Sequence, residues 1–243
     1  MSRVRDPEWK CLTMASISDR TSPNSIHDDR TVNPAIIRIG GWLFRQRTAI
    51  PLPIAVAVLL LRVGEAPASP VLIAIGVAVT LAGEALRLWA VRHIGVVSRT
   101  RSERLGPLVA SGPFAHVRNP LYVGNIALWV GFALTARLVW LAPVIALLLA
   151  LEYHAIVRWE ERLLEARIGD PYRDYVVRVP RWWPYRRERR DGGARREENS
   201  AASALSALSA QEHFTLSETL FSERGTLLAI AIGYVSLWIK ARF

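Results

Sequence analysis

The chain has 243 residues, 51% of them hydrophobic, and a formal net charge of +10. The apolar residues are gathered into long runs, which excludes an ordinary water-soluble globule. The arginines alternate between loops instead of forming one basic face, which argues against nucleic-acid binding and for the positive-inside pattern of a polytopic membrane protein.

Residues 1–33 are polar and hold no apolar core segment, so they read as a disordered tail and not as a secretory signal. The tail carries Cys11, the single cysteine of the chain, so no internal disulfide framework is possible. Residues 34–47 mix isoleucine, tryptophan and phenylalanine with arginine, the pattern of an interfacial helix leading into the membrane. The stretch 48–63 is expected to be the first span, although it is short and carries Pro51 and Pro53. The second span, 70–91, is clean until Glu84 and Arg87. These two are three residues apart, lie on one helical face and can pair. Either they snorkel near the membrane surface or they face a site.

The loop 92–119 is polar and punctuated by Gly95, Gly106 and Gly112. Spans three (120–136) and four (138–157) are separated only by a tight Thr135-Ala136-Arg137 turn, which forces an antiparallel hairpin. Pro143 is expected to kink the fourth span. That helix is predicted to run on past Tyr153 through Arg158 and Leu164, until Gly169 ends it. Asp170-Pro171 then starts a short helix with Tyr172 and Tyr175 on one face. Arg181-Trp182-Trp183-Pro184 suits a headgroup-level anchor. Residues 186–224 read as a charged and Ala/Ser-rich linker or weak amphipathic helix. Residues 225–243 read as an apolar helix, either a fifth span or interfacial, with Lys240 and Arg242 favouring the inner side.

The expectation is therefore an all-α, polytopic integral membrane bundle, with four core transmembrane helices, a possible fifth and a cytoplasmic helical C-terminal cap. Its core is residues 34–185. The arginine distribution puts the N-terminus, the 92–119 loop and residues 158–200 in the cytoplasm. The high alanine and arginine content points to a bacterial source, and so to the inner membrane.

One local motif carries chemistry. Proline tolerates only the first turn of a helix, so Pro120 is predicted to open span three with Asn119 as its cap. The free N–H groups of that turn attract anions, with Arg118 beside them. The hairpin returns the chain to the same surface, so Glu160-Glu161 should meet Arg118-Asn119-Pro120. A zwitterionic ligand would suit both, with its carboxylate at the helix start and its ammonium or ribose hydroxyls at a glutamate.

Gly112-Pro113-Phe114, Val117-Arg118-Asn119-Pro120, Tyr122 and Gly124 resemble the first signature of the isoprenylcysteine carboxyl methyltransferase and phospholipid methyltransferase superfamily. Glu160-Glu161, Leu164, Ile168-Gly169, Tyr172, Tyr175, Arg178-Val179-Pro180 and Pro184 resemble the second, and Arg87 with Trp89 is similar to the end of the family's second helix. The resemblance covers about residues 70–185. It implies an integral membrane enzyme that uses S-adenosylmethionine, without a soluble Rossmann domain. By resemblance, Arg118, Asn119, Tyr122, Gly124, Glu160 and Glu161 line the cofactor pocket, and Tyr172 and Tyr175 help close it. The signature often has histidine where this chain has Asn119, which can bond the cofactor but cannot shuttle a proton. His116, three residues earlier, is read as an interfacial histidine without a role.

The methyl acceptor is expected to be lipid-like or prenylated and to act at the inner leaflet among membrane lipids. Arg158 or Arg87 would orient a carboxylate acceptor, with Arg87 the substrate-binding candidate, and Glu161 would take the proton of an amine acceptor. No metal ligand set is expected. The alternatives are phosphatidylethanolamine N-methylation, an NADPH-dependent reductase of the membrane sterol type, and a non-enzymatic scaffold.

Overall fold

The computed structural model describes residues 34–47, 49–95, 108–184 and 214–242. The expected tail 1–33 with Cys11, and most of the expected linker 186–224, lie outside them. Among the described residues the regular structure is helical throughout. The helices are α1 (Pro34–Gln46), α2 (Pro51–Leu60), α3 (Pro70–Ile94), α4 (Pro120–Thr135), α5 (Leu141–Ile168), α6 (Asp170–Arg178) and α7 (Leu216–Lys240), with a 3-10 turn at Gly112–Ala115 before α4.

Three helices, α3, α5 and α7, are long and apolar enough to cross a membrane. The expected first span is not one continuous helix. Stretch 48–63 yields only the 10 residues of α2, about 15 Å of helix, too short to cross alone. Together with α1 it forms a pair bent by 62° at the break between them. Pro51 and Pro53 explain the break, because both must sit in the first turn of a new helix. Pro143 does not kink the fourth span. The helix starts at Leu141, so Pro143 stands in its first turn, where no hydrogen bond is lost.

The expected starts at Pro120 and Asp170 and the stop at Gly169 are present. Ser69 caps α3 by accepting from the Leu72 N–H at 3.3 Å, and α4 begins at Pro120. Gly169 ends α5 at φ +74°, and α6 starts at once. Arg137 turns the α4–α5 hairpin at φ +62°.

The closest seam is between α3 and α4. Gly76 and Gly83 on α3 meet Gly131 and Gly124 on α4 in antiparallel register. A Cβ on Gly83 would fall 2.7 Å from the Gly124 carbonyl oxygen, and one on Gly131 would fall 2.6 Å from the Gly76 oxygen. Small residues let the two backbones touch, which is how helices gain packing where lipid offers no hydrophobic drive. A larger apolar core, including Phe132, Leu138, Ile145, Leu149, Ile156 and Trp159, fills the bundle around α5. On its far side α1 crosses at Gly40, where a Cβ would fall 2.9 Å from that of Trp159.

The C-terminal helix is a full-length rod. It starts at Leu216 and not at Gly225, behind a capping box of Thr215 and Glu218. Its beginning lies against the end of α3, where the Phe214 N–H donates to the Arg92 carbonyl at 3.0 Å. Its middle is tied by the Tyr234 hydroxyl, which donates to Thr80 Oγ1 at 2.8 Å. Its end lies at the opposite pole, where Lys240 Nζ donates to the carbonyls of Val58 (3.1 Å) and Leu61 and pairs with Glu65 at 3.1 Å. Glu65 also pairs with Arg137. Lys240 thus lies at the pole away from the start of α4, with its charge neutralised locally.

Candidate functional site

The two distant stretches do meet. The start of α4, the last three turns of α5, α6 and residues 179–183 converge at one end of the bundle. Tyr122, in the first turn of α4, donates its hydroxyl to Glu160 Oε1 at 3.0 Å. Arg118 Nη1 stands 2.9 Å from Glu161 Oε1. The fit follows from the short hairpin, which folds α5 back alongside α4 with no slack.

The adjacent glutamates do different work because neighbouring residues on a helix point about 100° apart. Glu160 turns toward Tyr122, whose ring stacks on Tyr153 with centroids 4.7 Å apart. Glu161 turns toward the loop and is clamped between two guanidiniums. Arg181 grips it in a bidentate fork, Nε to Oε1 at 2.9 Å and Nη2 to Oε2 at 2.6 Å. Arg181 is the residue that sequence reasoning placed at the headgroups; Trp183 and Pro184 of that cluster are exposed, and Trp182 packs against His154. The chain reverses here so tightly that the Arg118 N–H donates to the Pro180 carbonyl at 2.9 Å.

Asn119 occupies the cap position but does not cap. Its side chain accepts no bond from the first turn, and Nδ2 donates to the Arg181 carbonyl at 3.1 Å. The start of α4 is thus left without a side-chain cap. Beside it, Arg118 Nε and Nη1 are buried with no hydrogen-bond partner among the described residues. The Nη1–Glu161 approach is a charge contact without hydrogen-bond geometry. An orphaned guanidinium edge beside an uncapped helix start fits a carboxylate ligand.

Tyr172 and Tyr175 are buried on the inner face of α6, and the Tyr175 hydroxyl donates to the Phe114 carbonyl at 2.8 Å. Burial raises both phenols well above their ordinary pKa, so they stay protonated; neighbouring Glu161 raises them further and Arg118 opposes it. Arg158 lies half-buried on α5, one turn before Glu161. His116 is exposed beside Trp89.

Two candidates sit away from this cluster. Gly124 faces α3, where a Cβ would fall 2.7 Å from Arg87 Cγ and from the Gly83 oxygen; the glycine is needed there for packing. The Glu84–Arg87 pair forms at 3.2 Å and faces inward, with Arg87 also bonded to Asn125 on α4 and to Glu223 and Thr226 on α7. Arg181, Asn125 and Glu223 were missed by sequence reasoning.

A helical bundle with three helices of membrane-spanning length and a cluster of arginines and glutamates at one pole defines the class. Residues 71–170 match the phospholipid methyltransferase family. The chain is 36% identical over 98 residues to the nickel-cobalt-cadmium resistance protein NccN of Alcaligenes xylosoxydans xylosoxydans, covering 40% of this chain and 43% of that protein. It is 30% identical over 116 residues to the cobalt-zinc-cadmium resistance protein CzcN of Cupriavidus metallidurans, covering 48% of this chain and 50% of that protein. The chain spans about half the length of the curated relatives it matches. No solved structure matches it.

Proposed function

We propose that the protein transfers a methyl group from S-adenosylmethionine to a lipid-like or isoprenoid acceptor at the cytoplasmic face of a bacterial inner membrane. The observation that carries this reading is Arg118, whose buried Nε and Nη1 lack hydrogen-bond partners beside the uncapped start of α4, within the segment that matches a methyltransferase family. Arg118 and that first turn would hold the carboxylate of the cofactor, and Glu160 its ribose hydroxyls. The cofactor, when bound, supplies an electrophilic methyl group.

The rest of the catalysis falls to position and dryness. Correct in-line placement is worth about 7–11 kcal/mol of barrier in well-oriented systems. Tyr172 and Tyr175 form a buried wall of neutral hydroxyls on one side, and the Tyr122–Tyr153 stack forms the other. Glu161 has its oxygens engaged by Arg118 and Arg181, so its part is to hold the two guanidiniums in place. Arg158 would orient an acidic acceptor. The acceptor's tail would reach the pocket sideways from the bilayer. The excess of arginine on the segments at this pole supports a cytoplasmic site.

The test is transfer of a radiolabelled methyl group into organic-extractable product by the folded protein in nanodiscs containing bacterial lipids. Label in the organic phase supports the reading; its absence with donor and lipid extract both present refutes it. The family description favours a second reading, phospholipid N-methylation. Product mass spectra separate an N-methyl amine from a methyl ester.

A further inference from the structure

Helix α7 lies beyond the family-matched residues 71–170, yet it delivers a carboxylate to the middle of the bundle. Glu223 is 2% exposed. Its Oε2 accepts from Arg87 Nη2 at 2.7 Å, and the same nitrogen donates to Thr226 Oγ1 at 3.2 Å. Arg87 Nε faces Glu84 Oε2 at 3.2 Å, and Nη1 donates to Asn125 Oδ1. The stem of Arg87 is confined as well, because it runs over Gly124, where no Cβ would fit.

The contacts continue toward the pocket. Asn125 also lies beside the Tyr153 hydroxyl. Tyr153 stacks on Tyr122, and Tyr122 bonds Glu160. A series of neighbouring side chains thus runs from Glu223 on α7, through α3 and α4, to the α5 glutamate of the site. A buried guanidinium is costly unless counter-charge and hydrogen bonds fix it, and Glu223 brings such a counter-charge from α7. Anchoring α7 does not by itself require that contact, since Tyr234–Thr80 and Lys240–Glu65 already tie the helix at its middle and end.

We infer that Glu223 is a positioning residue: through Arg87, Asn125 and Tyr153 it fixes the Tyr122–Glu160 wall of the pocket, so the C-terminal helix belongs to the working unit. This rests on the reading of that pocket as the methyl-donor site. Without the Glu223 carboxylate, Arg87 turns to Glu84, Asn125 loses its fixed partner, and the tyrosine stack loosens.

The experiment compares wild type, Glu223→Gln and Tyr234→Phe in nanodiscs. Tyr234→Phe removes a different interhelical bond of α7 and leaves Arg87 untouched. Binding of S-adenosylhomocysteine is read by calorimetry, and thermal unfolding reports that each variant is folded. Glu223→Gln is expected to weaken binding by about tenfold, since small misplacements of a site wall cost up to about 10²-fold, while Tyr234→Phe stays within about twofold of wild type. Glu223→Asp, which keeps the charge, is expected to recover part of the loss. Equal binding by wild type and Glu223→Gln, or equal losses in Glu223→Gln and Tyr234→Phe, overturns the inference while leaving the donor site standing. A folded wild type that binds no ligand removes the donor site itself, and the inference with it.

Discussion

Replacing Gly131 by alanine should unseat the bundle out of proportion to one methyl group. A Cβ at this position falls 2.6 Å from both the Gly76 oxygen and the Thr80 nitrogen. Ordinary contact needs about 3.4 Å or more, so α3 and α4 must part by most of an ångström against backbone that cannot fold away. Overpacking of this kind costs about 1–3 kcal/mol. The displaced Thr80 side chain also carries the bond from Tyr234 at 2.8 Å, and losing one buried hydrogen bond adds about 1 kcal/mol. The expected loss is therefore about 2–4 kcal/mol. Gly225 is the internal control: it lies inside α7 with nothing within 4 Å of its added Cβ, so alanine there should gain up to about 1 kcal/mol. Thermal and denaturant unfolding in one detergent would rank Gly225→Ala above wild type and Gly131→Ala well below it. If the two alanine variants unfold alike, the close backbone approach of α3 and α4 is refuted.

Other substitutions separate the charged clusters. Glu161→Gln should lower stability by about 2–4 kcal/mol, because it leaves Arg118 and the partly exposed Arg181 facing each other without their shared counter-charge; an unchanged unfolding midpoint would show that the clamp contributes little. Glu152→Leu should raise stability by about 1–3 kcal/mol, since this buried carboxyl on α5 has no hydrogen-bond partner among the described residues and an apolar side chain removes its desolvation penalty. A lower midpoint there would reveal a partner for Glu152 that this packing does not provide.

The parts of this architecture legible in the sequence are those set by local backbone chemistry. Pro120 could only begin a helix, Gly169 could end one at positive φ, and a short turn could only fold α5 back on α4. Those constraints sufficed to bring Tyr122 and Glu160 together across 38 residues. What escaped depended on partners distant in the chain. Arg181 resembles any interfacial arginine until its reach to Glu161 is seen, and Glu223 stands 136 residues from Arg87. Two signals were present and passed over. The glycines of α3 and α4 recur at a heptad interval on both helices, which marks a close seam. Thr215 and Glu218 form a capping box, which dates the start of α7 to Leu216 and gives it 25 residues, enough to cross. Its serines, glutamates and arginine hid that length, because the polar residues of its first turns either face Arg87 or lie near the pole.

Binding of the methyl donor to Arg118 is the most direct test. Calorimetric titration of S-adenosylmethionine into the nanodisc protein should show one site. Arg118→Ala should weaken it by at least about tenfold, as expected for losing a charge-assisted contact, while Arg173→Ala, altering an exposed arginine of α6 that pairs with Glu165 and Asp170, should bind like wild type. Equal affinity in wild type and Arg118→Ala, both shown to be folded, would contradict the assignment of the α4–α5 pocket as the cofactor site.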